Sequence, residues 1–467
     1  MTPRMERFQF VVIGAGPAGE AAAYKARELG ASVAVLDRLW FGGSCPHIGC
    51  VPSKSLLHSA AVHAGGGDEP WSKASARRDY MVNRAPDAAE PDDTGHVEGL
   101  RKAGAQTFRG TARIVGRGQV EVDSPDGIVT LDTDNVIVAT GSSSKVPPIE
   151  GLADTRPWTN RQATLTRELP RSLLVLGGGP TGVELAQVFA RFGVPTTICQ
   201  SGPRILPTDH PRNAETLTKA LLRDGVTIRT GARAQRARAG AGGDGAHVVE
   251  LDDGTTVEGH VILLAVGRDL GLEKVGLAHY GLDASKRDGV PHDGRLRVAD
   301  GLWLAGDAGG PELHTHQGHY QGELAVRMAL GDPIEPDYRA LPRATYTDPE
   351  GASVGVTLDQ ARDADLDAFE LVSDFTTTAK GYSVEAEFGH VTIVIDRGSR
   401  ELVGAAMAVP DASAAIHECV LAIKARVPVD TLAETIHAFP STSRILNGLF
   451  ADARRELDKP GSVVKPG

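Results

Sequence analysis

One construction appears twice in this chain, and it fixes most of what the chain can become. "FVVIGAGPAGEAAAYKARELGASVAVLD", Phe10 to Asp37, reads as apolar strand, glycine-rich turn, alanine-rich helix and second strand. "LLVLGGGPTGVELAQVFARFGVPTTICQ", Leu173 to Gln200, repeats that order. Each is a βαβ unit, and each half ends in a further apolar strand that meets a glycine, "NVIVATGS" and "HVILLAVGR". The duplication suggests an α/β protein with two nucleotide-binding domains, the second inserted into the first. A third strand, "LWLAGDAGG", and the helical "HTHQGHYQGELAVRMAL" would close the first domain. From about Leu341 the pattern changes to alternating strands, "HVTIVID" and "ELVGAAMAV", followed by amphipathic helices, which predicts a separate α+β domain. "GARAQRARAGAGGDGAH" and "NRAPDAAEPDDTGH" read as surface connections.

The length of 467 residues, at about 150 per domain, accommodates this plan. Hydrophobic residues at 41% and charged residues at 23% exclude disordered and fibrous classes. A net charge of -11 is mild over this length and argues against nucleic acid or an anionic membrane as partner, leaving small molecules. No run is long enough to span a membrane, and "FQFVVIGAG" is too short for a secretion signal, so the cytoplasm is the expected compartment.

Gly14, Gly16 and Gly19 form G-x-G-x-x-G directly after a strand and at the start of a helix. In such a turn the first glycine permits the bend, the second lets amides approach a pyrophosphate, and the third lets helix and strand pack closely. Asp37 ends the second strand, where an acid accepts hydrogen bonds from an adenosine ribose. Gly177, Gly179 and Gly182 repeat the motif, but Gln200 stands at the acid position, followed by Ser201 and Arg204. Without a carboxylate to repel a 2′-phosphate, and with a cation nearby, NADPH is favoured over NADH, although Gln can also bond a ribose hydroxyl. Two dinucleotide sites suggest one flavin and one nicotinamide.

"GGSCPHIGCVPSK", Gly42 to Lys54, puts Cys45 and Cys50 close together in a chain with four cysteines, too few for a disulfide scaffold. The pair reads as redox-active or metal-binding. Cys45 lies in a glycine-rich loop and a helix begins near Cys50, where the helix dipole and unpaired amides lower a thiol pKa. Lys54, at i+4, shares a face with Cys50 and could stabilise a thiolate or a reduced flavin anion. Cys199 and Cys419 read as inert core thiols.

This stretch resembles the active-site signature of class I pyridine nucleotide-disulfide oxidoreductases, the group that includes dihydrolipoyl dehydrogenase, glutathione reductase and mercuric reductase. The resemblance covers essentially the whole chain. It implies two Rossmann-like dinucleotide-binding domains plus a C-terminal α+β dimerisation domain, working as a homodimer: FAD over 1–153, NAD(P)H over 154–269, a central segment over 270–340 that completes the FAD domain, and dimerisation over 341–467. FAD would lie along Gly14, Gly16, Gly19 and Asp37, pass Gly43, Ser44, Thr140 and Gly141, and be held at its ribityl chain by Asp307. Nicotinamide would enter beside Gly179 and Glu184, with Gly267 in the matching "AVGR". Glu184 would pair with Lys54. Electrons from NAD(P)H would reduce a Cys45–Cys50 disulfide, with Cys50 facing the flavin and Cys45 meeting substrate.

The chain also departs from the family. Disulfide-reducing members carry a His-Pro and a following Glu across the dimer interface as an acid-base pair; here, in "IHAFPSTSRIL", Phe439 and Arg444 take those places. Loss of such a base costs roughly 10²- to 10⁴-fold in rate. His437 is offset by two residues and reads as a packing or surface side chain. His47 lies between the cysteines where the family has Asn, and with Phe439 and Arg444 is assigned to the substrate pocket. His314, His316 and His319 cluster without a completing cysteine or carboxylate pattern, so no metal site is assigned. Pro180 stands where some members have a tyrosine lid. The expected function is FAD-dependent NAD(P)H oxidoreduction of a small disulfide, soft metal ion or quinone. The alternatives are a dihydrolipoyl dehydrogenase-type enzyme and a redox-sensing or electron-delivering flavoprotein that docks a protein partner.

Overall fold

The structure is a computed structural model that describes residues 5–84, 90–241, 245–284, 290, 295–310 and 312–459. The first βαβ unit forms strand Met5–Ile13, helix Pro17–Glu28 and strand Val33–Asp37. Their sheet runs Arg297–Ala299, Leu302–Leu304, Gly127–Val138, Met5–Ile13, Val33–Asp37, Gln106–Arg109. The strands from Leu302–Leu304 onward are parallel. A parallel sheet needs both faces covered, and the apolar runs of these strands supply that: Phe10, Val11, Val12, Ala34 and Val35 are fully buried. Helix Pro17–Glu28 presents Ala18, Ala22, Ala23 and Ala26 to the same core as Leu324 and Ala325 of helix Thr315–Ala329. Residues beyond the second repeat thus complete the first sheet and its helical layer.

The second unit is a four-stranded parallel sheet, Thr227–Thr230, Thr196–Gln200, Leu173–Leu176, Val261–Leu264. The stretch expected to be a surface connection from Gly231 is instead partly structured. Ala234–Arg238 pairs antiparallel with His247–Leu251, which pairs with Thr256–Gly259. The strand is hidden in the sequence because its inward residue, Ala237, is small and poor in β propensity, and its arginines face solvent. "NRAPDAAEPDDTGH" includes residues 85–89, outside the described ones, but its end is also structured: Thr94 opens a helix to Lys102.

The last unit is a five-stranded antiparallel sheet, Arg343–Thr345, Glu350–Gly355, Glu401–Val409, His390–Asp396, Ala368–Asp374. Helices Ala412–Ala425 and Thr442–Leu457 cover it, burying Ile416, Cys419, Leu446 and Phe450. Among the described residues no helix is long and apolar enough to cross a membrane.

Candidate active site

The two glycine turns have nearly the same geometry. Gly14 sits at φ +105°, and a Cβ there would lie 2.2 Å from the Ala139 carbonyl oxygen; Gly177 sits at φ +104°, 2.3 Å from that of Ala265. Any side chain at either position meets backbone as well as a strained φ. Gly19 and Gly182 let their helices close onto the carbonyls of Gly14 and Gly177. Both helices begin with proline after an N-cap glycine, Gly16 or Gly179, and no side chain caps either end. By contrast, Thr159 caps helix Asn160–Leu165 and Ser441 caps Thr442–Leu457. Uncapped first-turn amides facing a glycine turn are what a diphosphate requires, so both turns fit a dinucleotide.

The residue ending each second strand holds its turn by the same bond. Asp37 Oδ2 accepts from the Ala15 amide at 2.8 Å, and Gln200 Oε1 accepts from the Gly178 amide at 2.9 Å. Burial pushes the Asp37 carboxyl above its usual value against the pull of the Ala15 and Leu39 amides. Asp307 lies in the turn Gly306–Gly309, where Ser142, next to Thr140 and Gly141, donates to its carboxylate and Arg268 stands 3.5 Å away.

Cys50 is the first residue of helix Cys50–Ala64, as the sequence predicts. Cys45 is not in open loop but in the one-turn helix Ser44–His47, preceded by Gly43 at φ +70°. A Cβ on Gly43 would lie 2.6 Å from Gly16 Cα, so the cysteine loop lies directly against the first glycine turn. The loop is braced from three sides. The Phe41 amide donates to Asp93 at 2.8 Å, and Asn160 and Thr164 donate to the Ile48 carbonyl at 3.0 Å.

Both are free cysteines, and each thiol acts on the protonation of the other. The Cys45 thiol, Thr315 and the Lys54 ammonium together hold the Cys50 pKa down to about 6 against burial. Cys50 Sγ lies 3.5 Å from Thr315 Oγ1. Sharing a proton with that thiolate, and its own burial, push Cys45 well above the ordinary thiol range. Lys54 Nζ donates to Glu184 Oε2 at 2.7 Å, the pair formed across the two domains that the resemblance implies. Burial works against the ammonium, but the Glu184 carboxylate overcomes it and raises the Lys54 pKa. Removing one partner of a buried pair costs about 3–5 kcal/mol, and Lys54, one-third exposed, puts this pair at the low end.

Cys45, Cys50, Lys54 and Glu184 line one cleft of about 2190 Å³. Its walls also carry Gly177, Gly179, Gln200, Ser201, Arg204 and Gly267, so the sulfur pair and the second turn open into the same space. The first turn does not line it. Two assignments need correction. His47 faces inward, not into the substrate pocket: it is 1% exposed, donates from Nε2 to the Phe41 carbonyl at 2.9 Å, and packs against Trp40 and His96, because the short helix turns it under the loop. Arg204 lines the cleft, yet its guanidinium donates to the carbonyls of Leu206, Pro207 and Asp209 and is held in its own loop. Phe439, 74% exposed, and Arg444, donating to Asn447, do not line the cleft of their own subunit; the resemblance assigns them to the pocket across the dimer interface.

His437 turns into its own subunit, with Nε2 2.6 Å from Glu418, Nδ1 2.8 Å from the Thr435 carbonyl, and 6% of its side chain exposed, so neither ring nitrogen is available as a base. His314 and His316 stack at 5.0 Å and are engaged by Glu312 and the Pro342 carbonyl. Cys199 and Cys419 are buried, and burial pushes both thiols up, Cys199 to about 11. Pro180 is simply the first helical residue. Two site residues were missed. Thr315 lies between His314 and His316, and the sequence reading singles out only the histidines. Tyr346 has its ring 4.4 Å from Lys54 Nζ and its amide donating to Glu184 Oε1 at 2.9 Å, and no sequence signal points to that carboxylate.

The family comparisons agree with this geometry. Residues 8–322 match the model of the pyridine nucleotide-disulphide oxidoreductase family, and 341–448 that of its dimerisation domain, which supports a homodimer. A dihydrolipoyl dehydrogenase of Chlorobaculum tepidum is 31% identical over 465 residues, covering 97% of this chain and 98% of that one. The HOCl-induced flavoprotein disulfide reductase RclA from Escherichia coli, solved as a Cu(II) complex, superposes with a TM-score of 0.85 at 26% identity, covering 96% of this chain and 99% of its own. LpdA from Mycobacterium tuberculosis superposes with a TM-score of 0.84 at 27% identity, covering 97% and 99%. This chain therefore belongs to the pyridine nucleotide-disulphide oxidoreductase family and is a flavin-dependent oxidoreductase that works with FAD and NAD(P)H.

Proposed function

We propose that this enzyme uses NAD(P)H to reduce a soft metal ion through the Cys45–Cys50 couple, with no imidazole base at the acceptor. The observation that carries the reading is the sulfur pair in the coenzyme cleft, with Cys50 held as a thiolate by Cys45, Thr315 and Lys54. Bound FAD supplies hydride acceptance from the coenzyme and electron transfer to the sulfurs. The glycines of the first turn, with Asp37, Ser44, Thr140 and Asp307, would hold it. Cys50 would be the sulfur that stays thiolate beside it, Lys54, held by Glu184, would keep a positive charge there, and Cys45 would meet the acceptor.

Phe439 and Arg444 at the places of the acid-base pair bear on which acceptor fits. Reducing a disulfide to two thiols consumes protons that a base must manage. Reducing two divalent copper ions to the monovalent state consumes none: NAD(P)H gives up two electrons and releases one proton, and the dithiol returns to the disulfide. Thiolates also suit a soft monovalent ion. The Cu(II) complex of the RclA neighbour supports the same class of acceptor.

A second reading, lipoamide chemistry, has the activity of the 31%-identical relatives behind it. The test is an acceptor panel of Cu(II) with a monovalent-copper chelator, a small disulfide, a quinone and dihydrolipoamide, run with wild type and Cys45→Ser. Copper reduction should fall at least ~10²-fold in the variant, in line with loss of a covalent redox group. Copper reduction that survives the change would sink the proposal, and rapid dihydrolipoamide turnover by wild type would favour lipoamide chemistry.

A further inference from the structure

We infer that Arg233 reads the 2′-phosphate of the coenzyme and makes this chain selective for NADPH over NADH. The inference rests on the second glycine turn being the coenzyme site. In a parallel sheet, ligands sit outside the carboxyl ends of the strands. Strands Thr196–Gln200 and Thr227–Thr230 end side by side, and two backbone bonds continue the register past them: Gly231 N to Gly202 O at 2.8 Å and Ala232 N to Gln200 O at 3.0 Å. Arg233 follows at once, exposed, on the cleft wall shared with Gln200 and Ser201.

Charge makes this wall selective. Where an acid would repel a 2′-phosphate, Gln200 is neutral and has its carbonyl oxygen engaged by the Gly178 amide. Arg204 is held by three carbonyls of its own loop. Among the described residues the Arg233 guanidinium has no hydrogen-bond or ion-pair partner. The nearby carboxylates are engaged: Asp252 accepts from the Arg233 amide at 3.0 Å, Asp253 from the Thr255 amide at 2.9 Å, and Glu215 pairs with Lys219 at 2.8 Å. A planar guanidinium on the same cleft wall as the exposed Ser201 hydroxyl offers the donor set that a phosphate dianion takes bidentately.

The test is calorimetric binding of NADP⁺, NAD⁺ and adenosine 2′,5′-bisphosphate to the oxidised holoenzyme, wild type and Arg233→Gln, with thermal midpoints to confirm folding. A charge-assisted bond of this kind corresponds to at least a tenfold preference. Wild type should bind NADP⁺ at least ~10-fold more tightly than NAD⁺, and the ratio should collapse toward one in the variant. Tight binding of the bisphosphate should be lost with it and weaken in high salt. A wild type that prefers NAD⁺, or a ratio unmoved by Arg233→Gln, overturns the inference. If neither coenzyme binds wild type, the second turn is not the coenzyme site, and the underlying reading falls as well.

Discussion

The first and second glycine turns share their backbone, and they differ in what stands in front of them. Gly16 has the cysteine loop against it, with Gly43 packed on its Cα, whereas a Cβ on Gly179 would meet nothing within 4 Å. The first turn is closed in by the loop that carries Cys45, and the second opens onto the cleft. On the function proposed above, one motif serves a group that stays and a coenzyme that comes and goes, and the cysteine loop makes the difference.

The largest effect should come from breaking each turn alone. Gly14→Ala should give protein purified without flavin. Gly177→Ala should keep its flavin and slow reduction by NAD(P)H by about 100-fold, the cost of an ångström-scale misplacement. Flavin content and anaerobic reduction rates check this, and loss of flavin in both would make the turns interdependent.

The next effect lies at the sulfur pair, where the two halves meet. Because the Cys50 pKa is lowered to about 6, its thiolate persists above that pH and is lost as pH falls through it. Cys45→Ala removes the largest stabilising contact and should move the midpoint toward the ordinary thiol value. At pH 7 a complete return would drop the thiolate fraction by roughly 30-fold, and with Thr315 and Lys54 still in place the drop should be smaller. Lys54→Met should move it the same way by less. The pH dependence of Cys50 alkylation in the reduced enzyme reads both shifts.

Exchanging the strand-end residues should have a smaller effect. Asp37→Asn keeps an acceptor for the Ala15 amide but loses charge, and should loosen flavin by about tenfold. Gln200→Glu keeps the bond to Gly178 and adds the charge that repels a 2′-phosphate, and should weaken NADP⁺ relative to NAD⁺. Dissociation constants for flavin and coenzyme check the pair.

The smallest effect concerns a contact between the second unit and the last domain. His210 and Arg212 hold the Glu370 carboxylate of the last domain at about 2. A lowered carboxyl pKa stabilises the fold above the ordinary carboxylate value, and that stability is lost as pH falls toward 2. Glu370→Gln should lower the melting midpoint at pH 7 by roughly 1–3 °C, with the gap narrowing below pH 4.

Much of this was legible in the sequence where local chemistry decides the outcome. The turns at Gly14 and Gly177, the helix starting at Cys50 and the strands of the parallel sheets follow from apolar runs and glycine spacing. Residues that depend on long-range placement were not legible. His47 sits between the cysteines in sequence but points beneath them, and Arg204 stands at the right spacing with its donors turned to its own loop. Tyr346 reaches Lys54 and Glu184 from a different domain, so nothing near it in sequence announces the contact. Arg233 falls in a stretch whose composition reads as a loop, and only the pairing of two strand ends brings it to Gln200.

The central claim is that a Cys50 thiolate lies against the bound flavin and carries electrons to Cys45. Anaerobic stopped-flow reduction with one equivalent of NADPH tests it by following long-wavelength thiolate-to-flavin absorbance. That band should rise in wild type at pH 8, fade with a midpoint near pH 6, stand in Cys45→Ser without any reductant, and be missing from Cys50→Ser. A wild-type enzyme with both thiols intact and no such band, or a band that persists in Cys50→Ser, would contradict it.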